Sequence, residues 1–176
     1  MVINLIVKIT SRAWSLKILA LMQQGVPGRQ APLLSASGAS RTAFAQSLVH
    51  LVKLGLLERN PGHGHPLRPE YRLTQQGREV AAVAERIERL IIPEDQSNLL
   101  RKSWSIPVLA VSQQPRYFGQ IKRELGAVTD RSLSQAIQQL RANHWLERAI
   151  DEGLNPPRPV YQAVGTGLEI GRLIPL

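Results

Sequence analysis

The chain of 176 residues contains no cysteine. Disulfide frameworks, zinc–thiolate sites and cysteine nucleophiles are therefore excluded. It also lacks any apolar run of the roughly 18 residues that a membrane span needs, so no membrane-embedded role is expected. Met1–Ile9 is apolar but has neither a basic leader nor a small-residue cleavage site, which makes it a poor signal peptide and favours a cytoplasmic protein. There is no glycine-rich phosphate loop, no paired-carboxylate constellation and no Ser/His/Asp set, and the glutamates fall mostly on helix surfaces. Neither enzymatic activity nor a cofactor is expected. Acidic residues are scarce, with 13 Asp+Glu against 22 Lys+Arg and a formal net charge of +9. That imbalance points to an anionic partner such as nucleic acid or an anionic membrane surface, against the plainer reading of a basic protein with no polyanion partner.

What the chain does have is a repetition. Val128–Arg148 reads VTDRSLSQAIQQLRANHWLER, and Ala39–Arg59 reads ASRTAFAQSLVHLVKLGLLER. At an offset of 89, Ser40 matches Thr129, Phe44 matches Leu133, Leu48 matches Ile137 and Leu51 matches Leu140. Leu57-Glu58-Arg59 then matches Leu146-Glu147-Arg148. Upstream, WSLKILALMQQ from Trp14 aligns with WSIPVLAVSQQ from Trp104, and downstream Arg68, Tyr71 and Gly77 align with Arg158, Tyr161 and Gly167, all at an offset of 90. Three landmarks in one order at nearly one spacing describe two copies of one unit of roughly 80 residues. We place the domains at residues 1–95 and 96–176, with the repeated modules proper at about 10–92 and 98–173.

Within the first copy, Ser11–Gln24 reads as a helix with Trp14, Ile18, Leu21 and Met22 on one stripe, ended by Gly25-Val26-Pro27-Gly28. Gln30–Ser37 is a short weak helix. Ser40–Leu54 is a longer one, with Ser40 as cap and Gly55 where a left-handed residue closes a helix. Leu56–Asn60 and Glu70–Thr74 form a hairpin around the turn Pro61–Pro66, and Gln76–Ile91 is a final amphipathic helix supported by the pair Glu85 and Arg89. The second copy repeats this plan. Pro107 lies within its first helix, where Ser105 either caps a fresh start or the proline kinks the helix. Its second helix is Tyr117–Leu125, its hairpin tip is Asp151–Arg158, its returning strand is Val160–Val164, and it has no long final helix. Val2–Ile9 has no counterpart and fits a strand or a helix equally. Short helices followed by a β-hairpin make a winged helix-turn-helix, so the expected class is mainly α with small β wings, in tandem.

Here the residues resemble a known family. WSIPVL, PRYFGQI, VTDRSLSQAIQQL, WLER and PPRPVYQAVGTG, spread over about 75 residues of the second copy, are similar to the HxlR-type winged-helix regulators of the MarR-like group. The first copy shares ASRTAF, LGLLER and EYRLTQQG but not the arginine–aromatic–phenylalanine motif. The resemblance implies a regulator of transcription that binds double-stranded operator DNA, a repressor being the expected mode. Such proteins are typically one-module homodimers. Two modules in one chain leave both a homodimer and a pseudo-dimeric monomer open.

The outward face of the first recognition-type helix offers Arg41, Thr42, Gln46 and Lys53, and that of the second Arg131, Ser134, Gln135 and Gln138. These side chains can hydrogen-bond base edges or phosphates; the competing reading is a solvated helix face. His63, His65 and Arg68 in the first hairpin, and Arg158 in the second, are placed against phosphate. Two histidines without a third ligand make a poor metal site, and none is expected. Trp14, Trp104, Tyr71 and Tyr161 recur at apolar positions and read as core. The rival function is a protein–protein adaptor without specific DNA binding. Residues 1–92 hold a surplus of seven positive charges and residues 93–176 a surplus of two. With Arg41 in one copy where the other has Asp130, and acids only in the second wing (Asp151, Glu152), the first module is expected to be the main reader.

Overall fold

A computed structural model describes residues 3–60, 69–91 and 96–174. In chain order the elements are α1 (Ile3–Thr10), α2 (Ser15–Gln23), α3 (Gln30–Ser37), α4 (Arg41–Lys53), β1 (Leu57–Asn60), β2 (Glu70–Leu73) and α5 (Gln75–Arg89). They continue with α6 (Ser97–Leu100), α7 (Ser105–Val111), β3 (Arg116–Tyr117), α8 (Phe118–Leu125), α9 (Asp130–Ala142), β4 (Leu146–Asp151), β5 (Arg158–Ala163) and α10 (Gly165–Arg172). The chain divides into two compact units, Arg12–Arg89 and Leu90–Leu176 with Met1–Ser11. Each is a winged helix-turn-helix.

In the unit Arg12–Arg89, α2 and α5 make the main helix pairing. Ile18 and Leu19 from α2 are fully buried, as are Ala81, Ala84 and Ile87 from α5, and Leu33, Leu48 and Leu51 close the core from α3 and α4. Lys17 and Glu88 meet at 2.7 Å between α2 and α5. That pair is partly exposed and contributes at most about 1 kcal/mol, so apolar burial carries the seam. β1 and β2 run antiparallel from Leu57↔Leu73 to Asn60↔Glu70. Arg29 forms a bridge to Glu70, in the place where the other unit has a full third strand. That other unit has the sheet order β3-β5-β4, with β4 and β5 in register from Leu146↔Ala163 to Asp151↔Arg158.

The two recognition-type helices are built by the same local devices. Ser40 and Thr129 cap them by accepting hydrogen bonds from the amides of Ala43 (3.4 Å) and Ser132 (3.2 Å). Each ends in the paired carboxy-terminal bonds of a Schellman motif. Leu56 N donates to Leu51 O and Gly55 N to Val52 O; Trp145 N donates to Leu140 O and His144 N to Arg141 O. The motif needs a left-handed residue. Gly55 has φ 70°, and His144 takes the same place with φ 57°. Beyond the hairpins, Gly77 and Gly167 begin the following helices against the chain leaving the recognition helix. A Cβ on either would sit 1.9 Å from Leu56 O or 2.2 Å from Trp145 O. That contact explains why glycine recurs at the 90-residue offset.

One segment left open between strand and helix is resolved, and several expectations need correction. Residues 3–10 are helical, and the helical period decides it: Ile6 and Ile9 lie on one face and are fully buried. That helix does not belong with the first module. It packs on α7 and α8, and Thr10 Oγ1 donates to Ser103 O at 2.7 Å, so residues 1–11 leave the unit expected at 1–95 and join the other. Pro107 is the third residue of α7, in the first turn, where its missing amide hydrogen would have had no helical partner. Ser105 is the first helical residue rather than the cap, and its hydroxyl makes no hydrogen bond. The final helix of the first module spans Gln75–Arg89 rather than Gln76–Ile91, and Thr74 Oγ1 accepts from the Gly77 amide at its start.

Two outcomes follow for stability. Ile6→Ala and Ile9→Ala should each cost about 2–4 kcal/mol, read as faster amide exchange in α7 and α8 with α2–α5 unchanged. Unchanged exchange in α7 and α8 would contradict the packing of α1. His144→Gly should raise stability by about 1 kcal/mol in a denaturant titration, because the left-handed backbone strains a residue with a Cβ; a loss would refute that strain.

Candidate nucleic-acid interface

The apolar stripe of each recognition-type helix fixes which side chains face outward. On α4, Phe44, Ser47, Leu48 and Leu51 are buried, and Arg41, Thr42, Ala45, Gln46, Val49 and Lys53 are exposed. On α9, Leu133, Ala136, Ile137 and Leu140 are buried, and Arg131, Ser134, Gln135, Gln138 and Arg141 are exposed. All eight helix residues singled out in the sequence therefore lie on outward faces. A helix of about 10–12 Å diameter matches the width of a B-DNA major groove, about 12 Å. His63, His65 and Arg68 lie outside the described residues. Arg158 opens β5, exposed and in register with Asp151. Arg59 on β1 and Arg148 on β4 are also exposed.

Sequence reasoning missed the exposed apolar side chains of α4. Val49 is 53% exposed. It falls off the Phe44–Leu48–Leu51 stripe, which is the signal that would have found it. An outward Ala45–Val49 pair suits contact with thymine methyl groups. Arg12 and Lys102, which precede α2 and α7, were also passed over; each lines a cleft beside its own recognition-type helix.

The acidic residues of the second unit do not act as the sequence suggested. Asp130 is not a lone carboxylate at the head of α9; it pairs with Lys122 at 2.7 Å. The pair is exposed, and the carboxylate also lies in the first turn, where the helix dipole favours it. α4 has no acid in its first turn, so Arg41 is not offset in this way. Asp151 is turned onto its own wing. The Tyr117 hydroxyl donates to its Oδ2, and the Gly153 amide donates to its Oδ1 at 3.0 Å. This clasp joins β3 to the end of β4. The hydrogen bond to Asp151 is the main reason the Tyr117 hydroxyl titrates above its ordinary range, and burial adds to it. The bond from Tyr117, with the Gly153 amide second, holds the Asp151 carboxyl below its ordinary range. Asp151 stays charged, but both its oxygens are engaged on the wing itself, with Glu152 exposed beside it.

Among the described residues no group of three His, Cys, Asp or Glu is placed to hold a metal ion, and no helix is long and apolar enough to cross a membrane. Comparison with known proteins gives one match, made twice. The family described as HxlR-like helix-turn-helix matches residues 9–94 and again residues 99–175. No curated protein matches the chain, and no solved structure does.

The clasp has a defined pH window. Asp151 has a lowered pKa, so its contribution is present above the ordinary carboxylate range near about 4 and is lost as pH falls through the lowered value. Tyr117 has a raised pKa, so its contribution is present below the ordinary phenol value near about 10 and is lost as pH rises through the raised one. Protection of the β4 and β5 amides, taken relative to the free-peptide exchange rate at each pH, should fall at both extremes in the parent protein. In Tyr117→Phe that protection should be lower at neutral pH and respond less to either extreme. A wing equally protected in both proteins would show that the clasp does not hold it.

Proposed function

The chain belongs to the HxlR-like helix-turn-helix family, which is a family of DNA-binding transcriptional regulators, and on that premise we propose that it binds specific double-stranded operator sequences through α4 and α9 and represses by occupying them. The observation that carries the reading is the composition of the two outward faces. Arginine, glutamine, threonine, serine and lysine project from helices whose opposite faces are buried, and each helix is followed by a wing. Phosphate contacts from the cations would set affinity, and glutamine and arginine on the helices would set the sequence read.

The two modules are proposed to be unequal, with α4 the main reader. Residues 1–92 hold most of the net positive charge, and Arg41 stands where α9 has Asp130, paired with Lys122 of α8. The neutral pair replaces the repulsion that a bare Asp130 would bring, so the difference rests on Arg41's additional attraction. One chain with two readers supports a pseudo-dimeric monomer on its operator, the homodimer being the alternative that stoichiometric titration separates. The adaptor reading draws on Ile150 and Leu154 in and beside β4, 45% and 39% exposed, where a wing devoted to phosphate would carry cations.

Fluorescence anisotropy with a random duplex should show binding that weakens steeply with salt, at a log–log slope of about −4 to −7. A flat response would favour the adaptor. On a selected operator, Arg41→Ala with Gln46→Ala should lose about tenfold more affinity than Arg131→Ala with Gln135→Ala, in the range of one lost bidentate base contact. Equal losses, or a larger loss from the second pair, would overturn the ranking of the modules.

A further inference from the structure

Each unit has a cleft beside its recognition-type helix, and the two clefts correspond. In one, Arg12 faces Ala45, Gln46, Val49, His50 and Lys53 across about 360 Å³. In the other, Lys102 with Ser103 and Trp104 faces Ser132, Gln135, Ala136 and Gln139 across about 250 Å³. Arg12 and Lys102 are 90 residues apart, the offset that relates Trp14 to Trp104; Gln46 and Gln135 are 89 apart, as are His50 and Gln139. The same construction therefore occurs twice: a long cation on the segment entering the first helix, an open gap, and a side of the recognition helix that carries a glutamine at the matching position.

Arg12 and Lys102 are exposed, and neither makes a side-chain hydrogen bond or ion pair among the described residues. Neither carries the core of its unit. A helix seated in a major groove nearly fills its width. Whatever flanks that helix at the same height then meets the wall of the groove, which is sugar and phosphate, rather than the base edges on its floor. A cation separated from the helix by an open cleft is placed to accept that wall into the gap. Gln46 and Gln135, which line the same clefts, would stand between floor and wall.

We propose that the two clefts are backbone-phosphate seats, in which Arg12 and Lys102 grip the strand that borders the groove occupied by α4 and α9 respectively. The proposal rests on the DNA-binding reading above and adds to it two contacts outside the recognition helices and the wings. These contacts carry no sequence information. They fix how deep and in what register each helix sits.

The test is a salt series on the full chain with a random duplex, comparing the parent protein with Arg12→Gln, Lys102→Gln and the double variant. Arg86→Gln with Arg172→Gln is the control of equal charge change, at exposed positions on α5 and α10. Each seat lost should make the log–log slope shallower by about 0.9, and the double variant by about 1.8. The control, which removes the same charge where no phosphate contact is proposed, should change both slope and affinity much less. The ratio of operator to random-duplex affinity should hold in the single variants, because no base contact is removed. If the parent shows a steep slope and the double variant keeps it, or matches the control, the phosphate seats are overturned while the DNA-binding reading stands. If the parent itself shows no salt-dependent binding, that reading fails and the seats fail with it.

Discussion

The constraint on which everything else depends is the burial of one stripe along each recognition-type helix. Phe44, Leu48 and Leu51 in one unit, and Leu133, Ile137 and Leu140 in the other, are all at most 5% exposed. Helical periodicity leaves no choice once that stripe is committed to the core. The residues between must face outward, and they are the ones able to touch nucleic acid. Capping by Ser40 and Thr129 fixes where each helix begins, and the left-handed Gly55 and His144 fix where the chain turns into the wing. The candidate interface is thus a consequence of packing, with chemistry written on the face that packing leaves free.

Much of this was legible in the sequence because the stripe, the caps and the turn residues are local signals. The repeat strengthened them: a pattern seen once is weak, and the same pattern seen twice at one offset is not. Glycine at 77 and 167 was visible as a repeat but not as a cause; the near contact with a backbone carbonyl appears only in three dimensions. The location of α1 was not legible. An eight-residue apolar segment has no way of stating which of two similar cores it covers, and sequence proximity favoured the wrong one.

Charge was the part most easily misread. Counting acids in the second copy suggested repulsion at both the helix start and the wing. In the fold, Asp130 is neutralised by Lys122, and Asp151 accepts from Tyr117 and Gly153. Lys122 lies on α8 and Tyr117 on β3, each in a different element from the acid it meets, so a count along the chain could not pair them. Conversely, nothing in the sequence set Arg12 and Lys102 apart from the other cations; their position across a cleft from Gln46 and Gln135 exists only in the fold. For surface charge, the decisive fact is which group stands opposite, and that is set by tertiary structure.

The central claim is that the outward faces of α4 and α9 meet duplex DNA. Amide chemical-shift mapping of the full chain during titration with a selected operator duplex tests it most directly. The account predicts that the largest changes fall on α4 and α9, from Arg41 to Lys53 and from Asp130 to Ala142, with smaller ones in β4 and β5. Changes confined to Ile150 and Leu154, or no changes at saturating duplex, would contradict it.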